Sequence, residues 1–277
     1  MKILLLGKNG LLGNMFLKQI SALEGLGQVF AFGHSDLDIL DFPKLRDTVS
    51  TISPDFVINC VAYTDVIKAE QDERELALKL NYEVLKHLSL ACKSNGTKLI
   101  HFSTDYVFDG EKNDFYNEDD KPNPLNYYGH TKLLGENAIQ DEGCDFAIAR
   151  TAWLFGPNGR NFVDRMIELS KTNPVLKIVN DKVGSPTYTY DLAKSVLDNF
   201  ILNKIESGIF HIVNEGALTR FEEINLAFEF KKIDNTIMPV SSDEFPSIAT
   251  VPSFSALSNN KLTKLRSCKD ALKAYLS

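Results

Sequence analysis

The chain has 277 residues, 44% hydrophobic and 24% charged, with a formal net charge of −7. That length suits roughly two units of about 150 residues and buries a core without disulfide or metal staples. The composition excludes a disordered chain, and the acidity argues against a nucleic-acid partner, whose capture needs a concentrated basic surface.

Residues 3–6 form a continuous apolar run that stops at Gly7. The run is too short for a signal peptide or a membrane span, so the expectation is a cytoplasmic protein with no membrane partner. It reads instead as a strand covered on both faces. Leu11, Leu12, Met15, Phe16 and Ile20 follow at helical spacing, and residues 29–32 form a second apolar run. Leu45, Val49 and Ile52 mark a helix closed by Ser53, Pro54 and Asp55, and residues 56–60 form the next strand. Ala77, Leu80, Val84, Leu85, Leu88 and Ala91 predict one long amphipathic helix, and residues 99–102 a strand. The charged stretch 111–121 reads as a solvated loop, followed by a helix with Tyr128 near its start and a strand at 146–149. This alternation predicts an α/β fold, a Rossmann-type doubly wound parallel sheet with helices on both faces.

After Arg150 the rhythm loosens into shorter pieces, with strands at 175–179 and 209–213 and helices around 162–169, 192–200, 221–230 and 271–276. They predict a smaller, interleaved C-terminal α/β substrate domain. Residues 1–152, with 188–215 returning to them, form the dinucleotide-binding part; residues 153–187 and 216–277 form the substrate part. Cys60, Cys92, Cys144 and Cys268 make no CxxC pair and the five histidines are dispersed, so no metal spacing appears and the thiols fit a reducing compartment.

Gly7, Gly10 and Gly13 form a GxxGxxG between the first strand and first helix. Glycines there permit a tight turn and close approach of backbone to a diphosphate, which the helix N-terminus attracts with free N–H groups and a positive dipole. The second strand ends in Gly33, His34 and Ser35, with no carboxylate before Asp36 to hold a ribose 2′-hydroxyl. This tilts a nicotinamide cofactor towards NADPH over NADH, with Lys8 and His34 nearby.

Tyr128 and Lys132 lie four apart, on one face of a helix. A phenol titrates too high for acid–base work at neutral pH, and a neighbouring ammonium brings it towards that range. Thr104 ends a central strand, where such sheets bind ligands, and its hydroxyl can share a substrate oxygen with Tyr128. Asp105 either caps a turn or touches substrate. Tyr106 stands where a dehydratase would carry a glutamate, which favours a reductase needing one proton donor only.

The runs 7–13, 103–110, 124–132 and 150–153, extended by 181–187 and 255–259, resemble the extended short-chain dehydrogenase/reductases. In particular they resemble the dTDP-4-dehydrorhamnose reductase family, over nearly the whole chain. The resemblance implies catalysis by Thr104, Tyr128 and Lys132. It implies a cofactor, NADPH or NADH, held by Gly7, Asn9, Gly10, Leu11, Leu12, Gly13, Asp38, Ile39, Ala62, Tyr63, Thr64, Asn81 and Ser103 together with Tyr128 and Lys132. A nucleotide-sugar substrate would meet Thr104, Asp105, Tyr106, Trp153, Asn161 and Phe162.

The implied reaction reduces the 4-keto group of a nucleotide-activated 6-deoxy sugar, dTDP-4-dehydro-L-rhamnose first. Alternatives are another nucleotide ketosugar, or a non-catalytic cofactor-binding regulatory subunit. A homodimer is the assembly to test. Two departures stand out. Val251 precedes Pro252 where the family usually has Arg-Pro, an arginine suited to clamp a diphosphate in bidentate fashion, and Ile67 replaces a usual Asp. Met15 occupies the place of a metal-binding Glu in some relatives, so no metal is expected.

Overall fold

The computed structural model describes residues 1–23 and 25–277. Lys2–Leu6 (β1) is buried from its second residue on. The chain turns at Gly7 into Leu11–Ala22 (α1), which buries Leu12, Met15, Phe16 and Ile20 along one face. Gln28–Phe32 (β2) leads to Phe42–Ile52 (α2), started by Asp41, whose carboxylate accepts from the Lys44 N–H, and by Pro43 in the first turn. Phe56–Asn59 (β3) follows, buried throughout.

Val66–Glu70 (α3) comes next, and where the periodicity predicts one long helix over 77–91 two segments appear, Arg74–Leu78 (α4) and Val84–Asn95 (α5). A π-helical turn over Lys79–Glu83 joins the last two. The wider turn accommodates an extra residue, and it carries Asn81, which is fully buried. Lys98–Thr104 (β4) is buried along its whole length and ends in a short 3₁₀ turn, Asp105–Val107. Tyr127–Glu142 (α6) is capped by Asn126, which accepts from the Gly129 N–H at 2.8 Å. Two glycines let α6 approach backbone closely: a Cβ on Gly129 would stand 2.1 Å from the Tyr106 carbonyl oxygen, and one on Gly135 2.1 Å from that of Asn81. Phe146–Thr151 (β5) completes the first half.

The second half runs Leu154–Phe155 (β6), Phe162–Ser170 (α7), Val175–Val179 (β7), Val183–Gly184 (β8), Thr187–Tyr188 (β9), Thr189–Val196 (α8), Gly208–His211 (β10), Leu218–Thr219 (β11), Arg220–Lys231 (α9), Thr236–Val240 (β12) and Cys268–Leu276 (α10). β10 returns to the main sheet, whose order is β2-β1-β3-β4-β5-β10, every pair parallel. The chain leaves β1 for β2 on one side and β3 on the other, so the carboxyl ends of β1 and β3 border the crevice where such sheets take ligands. Phe16, Phe102, Val196 and Phe200 fill one face of the sheet; Leu45, Leu85, Leu88 and Leu99 fill the other. A separate core of Phe155, Val163, Ile178, Ile224 and Leu272 holds the second half around the parallel pair β7–β12.

The stretch 111–121, expected as a solvated loop, is docked at its centre. Tyr116 is buried, stacks on Phe108 with centroids 4.3 Å apart, and donates its N–H to the Ala256 carbonyl at 2.9 Å. The buried Glu118 carboxylate accepts from the His211 and Asn260 N–H groups at 3.2 and 3.1 Å. Those backbone donors make burial of a charge tolerable. The charge run hid this, because its two inward side chains sit among outward ones.

Candidate active site

The GxxGxxG turn lies at the carboxyl end of β1. Gly7 has φ +85, and a Cβ on Gly13 would fall 2.0 Å from the Gly7 carbonyl oxygen, so turn and helix touch only because that atom is missing. A Cβ on Gly10 meets nothing closer than 3.5 Å, which leaves its open side to a ligand. Gly10 caps α1 without a side chain, so the first-turn N–H groups stay free for an anion. Beside the turn is a cavity of 510 Å³ lined by Gly7, Asn9, Gly10, Phe32, Asp38, Ile39 and Ala62 among others. Its shape, glycine cradle and helix terminus fit the diphosphate and adenosine of a dinucleotide.

Several residues expected at this cofactor site act behind it. Leu12 belongs to the core, and Leu11 abuts Gly159. Asn81 is a correction: it does not face the cavity. Its Oδ1 accepts from the Tyr63 N–H at 2.9 Å, and its Nδ2 donates to the Tyr63 carbonyl and Thr131 Oγ1 at 3.1 and 3.0 Å. It therefore fixes the loop carrying Ala62, Tyr63 and Thr64 and ties that loop to α6. The Tyr63 hydroxyl turns away to Glu73, at 2.9 Å, and Thr64 is exposed. The buried Ser103 hydroxyl has no partner among the described residues.

Thr104, Tyr128 and Lys132 converge at the end of β4. The Thr104 hydroxyl donates to Asp105 Oδ1 at 3.1 Å and accepts from the Tyr106 N–H at 3.2 Å. The Tyr128 ring meets Tyr106 edge-on, centroids 6.0 Å apart. Burial pushes the Tyr128 phenol up to about 12, the Thr104 hydroxyl working the other way. Lys132 is buried and does not bond the phenol, which differs from the expected pairing. Its Nζ lies 2.6 Å from the Phe102 carbonyl and 3.0 Å from His101 Nε2.

The wiring behind it runs to the next strand. The Val61 N–H occupies Asn59 Oδ1 at 3.1 Å, so Asn59 Nδ2 faces His101 Nδ1 at 3.3 Å. Burial and the Lys132 charge hold His101 well below the usual histidine range, and hence neutral. A neutral ring accepting at Nδ1 carries its proton on Nε2, facing Lys132. Burial brings Lys132 down to about 7 against the opposing pull of Glu136.

Asp105 is buried and serves Thr104. Its carboxyl, pushed up by burial to about 6, also accepts from the Ser255 hydroxyl at 2.6 Å, bringing the 255–259 run to the site.

A second cavity, of 540 Å³, is lined by Tyr106, Trp153, Lys182, Arg220, Asp243, Phe245 and Val251 among others. Trp153 has φ +47, a strained conformation for a bulky residue, and its buried Nε1 has no partner among the described residues. Asn161 and Phe162, expected to touch substrate, do not line this cavity. Asn161 caps α7, accepting from the Asp164 N–H at 2.9 Å and donating to the Gly156 carbonyl at 3.0 Å. Phe162 lies beneath Arg220, 4.6 Å from its guanidinium. His101, Asn59 and Arg220 escaped the sequence reading because isolated polar residues carry no spacing signal, while the runs 181–187 and 255–259 gave Lys182 and Ser255 no role of their own.

The family model described as RmlD substrate binding domain matches residues 1–277. The chain belongs to the dTDP-4-dehydrorhamnose reductase family. It is 38% identical over 279 residues to the dTDP-4-dehydrorhamnose reductase of Mycolicibacterium smegmatis, covering 98% of this chain and 84% of that one. Among solved structures of the family, a dTDP-4-dehydrorhamnose reductase from Clostridium acetobutylicum superposes with a TM-score of 0.94 at 39% identity, over 100% of this chain and 98% of that one. A second reductase of the family, from Bacillus anthracis in complex with NADP, gives 0.93 at 32% identity, over 99% and 98% of the two chains. Among the described residues no helix is long and apolar enough to cross a membrane.

Proposed function

We propose that this chain reduces the 4-keto group of a nucleotide-activated 6-deoxy sugar, dTDP-4-dehydro-L-rhamnose, using NADPH or NADH. One observation carries the reading. Thr104, at the end of β4, meets Tyr128 beside the Tyr106 wall of one cavity, and the helix that carries Tyr128 is fastened through Thr131 and Asn81 to the loop that walls the other. Residues 1–152 with 188–215 serve the cofactor, and residues 153–187 with 216–277 the sugar nucleotide.

Gly7, Asn9, Gly10 and the first turn of α1 would hold the dinucleotide's diphosphate, and Asp38 and Ile39 its adenosine. When bound, the nicotinamide supplies a hydride. Tyr128, protonated at neutral pH, gives its proton to the sugar oxygen as negative charge develops there. The Thr104 hydroxyl orients the same oxygen and then stabilises the phenolate. Lys132, on the same helix face, would hold the nicotinamide ribose. The protein's share is orientation and a water-poor, preorganised setting.

NADPH is the favoured form. Asp36, the first carboxylate after β2, is neutralised by Lys8 at 2.7 Å and accepts from the Gly33 N–H, so it is not free to repel a 2′-phosphate. Val251 in place of the family arginine supports a second reading, the same reduction on a different nucleotide ketosugar. The test follows absorbance of NADPH and NADH with dTDP-, UDP- and GDP-ketosugars. Turnover on dTDP-4-dehydro-L-rhamnose with higher kcat/KM for NADPH is expected. No turnover on any of them would defeat the proposal and favour a non-catalytic subunit.

A further inference from the structure

Two cations reach the cavity that Val251 lines. Lys182, between β7 and β8, sends its Nζ to the Val251 carbonyl at 3.2 Å. That partner is neutral, and no carboxylate pairs with this ammonium among the described residues. Arg220, the first residue of α9, lies flat on Trp153, 3.5 Å from the ring centroid, with Phe162 at 4.6 Å. Its Nη1 donates to Glu223 Oε2 at 2.7 Å, and its other donors have no partner among the described residues. The stacking and the ion pair fix the plane of the guanidinium, while 23% of the side chain stays open.

The acidic groups nearby leave both cations available. Glu223 is buried behind the guanidinium. Asp181 is turned to Ser241 and Ser242, and Asp243 stands on the cavity wall. The Arg220 charge also reaches Asp105 and Tyr106, whose acids it favours in ionised form. The cation therefore sits within electrostatic reach of the end of β4.

We propose that Arg220 and Lys182 together grip the diphosphate of the nucleotide-sugar substrate, in place of the arginine that Val251 lacks. This rests on the nucleotide-sugar reading above. A diphosphate offers two anionic groups. The stacked, planar fork takes one in bidentate fashion and the lysine supplies a point charge to the other. Their anchors lie on α9 and on the β7–β8 connection.

The experiment titrates dTDP, UDP and GDP, each against its nucleoside, into the NADP+-saturated protein by calorimetry. Lys182→Met lies at the surface and leaves no buried partner. The double variant Arg220→Gln with Glu223→Gln removes the second cation without stranding a buried carboxylate. Each variant is expected to weaken the preferred nucleoside diphosphate by about tenfold or more and flatten its salt dependence, with nucleoside and NADP+ affinity unchanged. In turnover, KM rises in both variants.

Diphosphate affinity within twofold of wild type in both variants overturns the grip, as does an equal loss for nucleoside and diphosphate. So does a wild-type protein that binds none of the three diphosphates. If wild type reduces a ketosugar and the variants keep its KM, the grip fails and the activity stands. If wild type reduces none, while Lys182→Met still loses diphosphate affinity selectively, the activity fails and the grip stands.

Discussion

Lys132 sits in surroundings that disfavour its charge, and that has a sign. Its amine titrates near 7 when folded, against 10.5 for a free lysine. Below pH 7 it is protonated in both folded and unfolded chains, and the fold bears the full burden of a buried ammonium. Between 7 and 10.5 the unfolded chain holds a proton that the native one has lost, so this group makes stability rise with pH. Lys132→Met should therefore abolish turnover yet raise Tm by a few degrees at pH 6, on the order of 2–4 °C per kcal/mol. The gain should fade towards pH 10.5, and thermal melts across that range check it. Tyr128→Phe should lower kcat by about 10²–10⁴, as expected when the acid is removed; full retained turnover would rule the phenol out. The pair Tyr128 and Lys132 was legible from its spacing. That the lysine leans on His101 and Phe102 was not, because those contacts cross from a helix to a strand 30 residues away.

At the scale of elements, the turn from β1 to α1 separates two kinds of glycine. Gly13→Ala pushes a methyl group into the Gly7 carbonyl and should destabilise the protein by about 1–3 kcal/mol through overpacking. Gly10→Ala meets ordinary contact distance within the protein and should leave Tm nearly unchanged, while weakening NADP+ several-fold. Melting and cofactor titration on the two variants distinguish them. Helix α6 is fastened to β5 by a buried pair: Arg150 donates from Nε and Nη2 to Glu136 Oε1 and Oε2 at 3.0 and 2.7 Å. Glu136→Ala leaves that guanidinium buried and unpaired and should remove about 3–5 kcal/mol, measurable by denaturant unfolding, whereas Glu136→Leu with Arg150→Met should recover much of the loss. The break between α4 and α5 shows the limit of periodicity. Ala77, Leu80, Val84 and Leu88 keep an apolar stripe through a π turn, and a stripe does not report one added residue.

Two cavities belong to the candidate site, one beside the glycine turn and one lined by Tyr106 and Val251. Ligands that bind only the folded chain stabilise it by about 2.7 kcal/mol at a hundredfold excess over Kd. NADP+ and dTDP at such excess should each raise Tm by roughly 5–11 °C, and the two together by more than either. A dTDP shift abolished by saturating NADP+ would place both in one cavity and contradict the arrangement.

The order of apolar runs, the glycine turn and the Tyr128–Lys132 spacing determined the doubly wound sheet and the place of its candidate site, because burial and helix geometry are written locally as periodicity. Tertiary structure alone decided that Asn81 supports a loop, that Glu118 is buried under two backbone donors, and that Lys182 and Arg220 reach one cavity from separate elements. Each of those facts depends on side chains far apart in the chain meeting in space, and sequence spacing holds no record of such meetings.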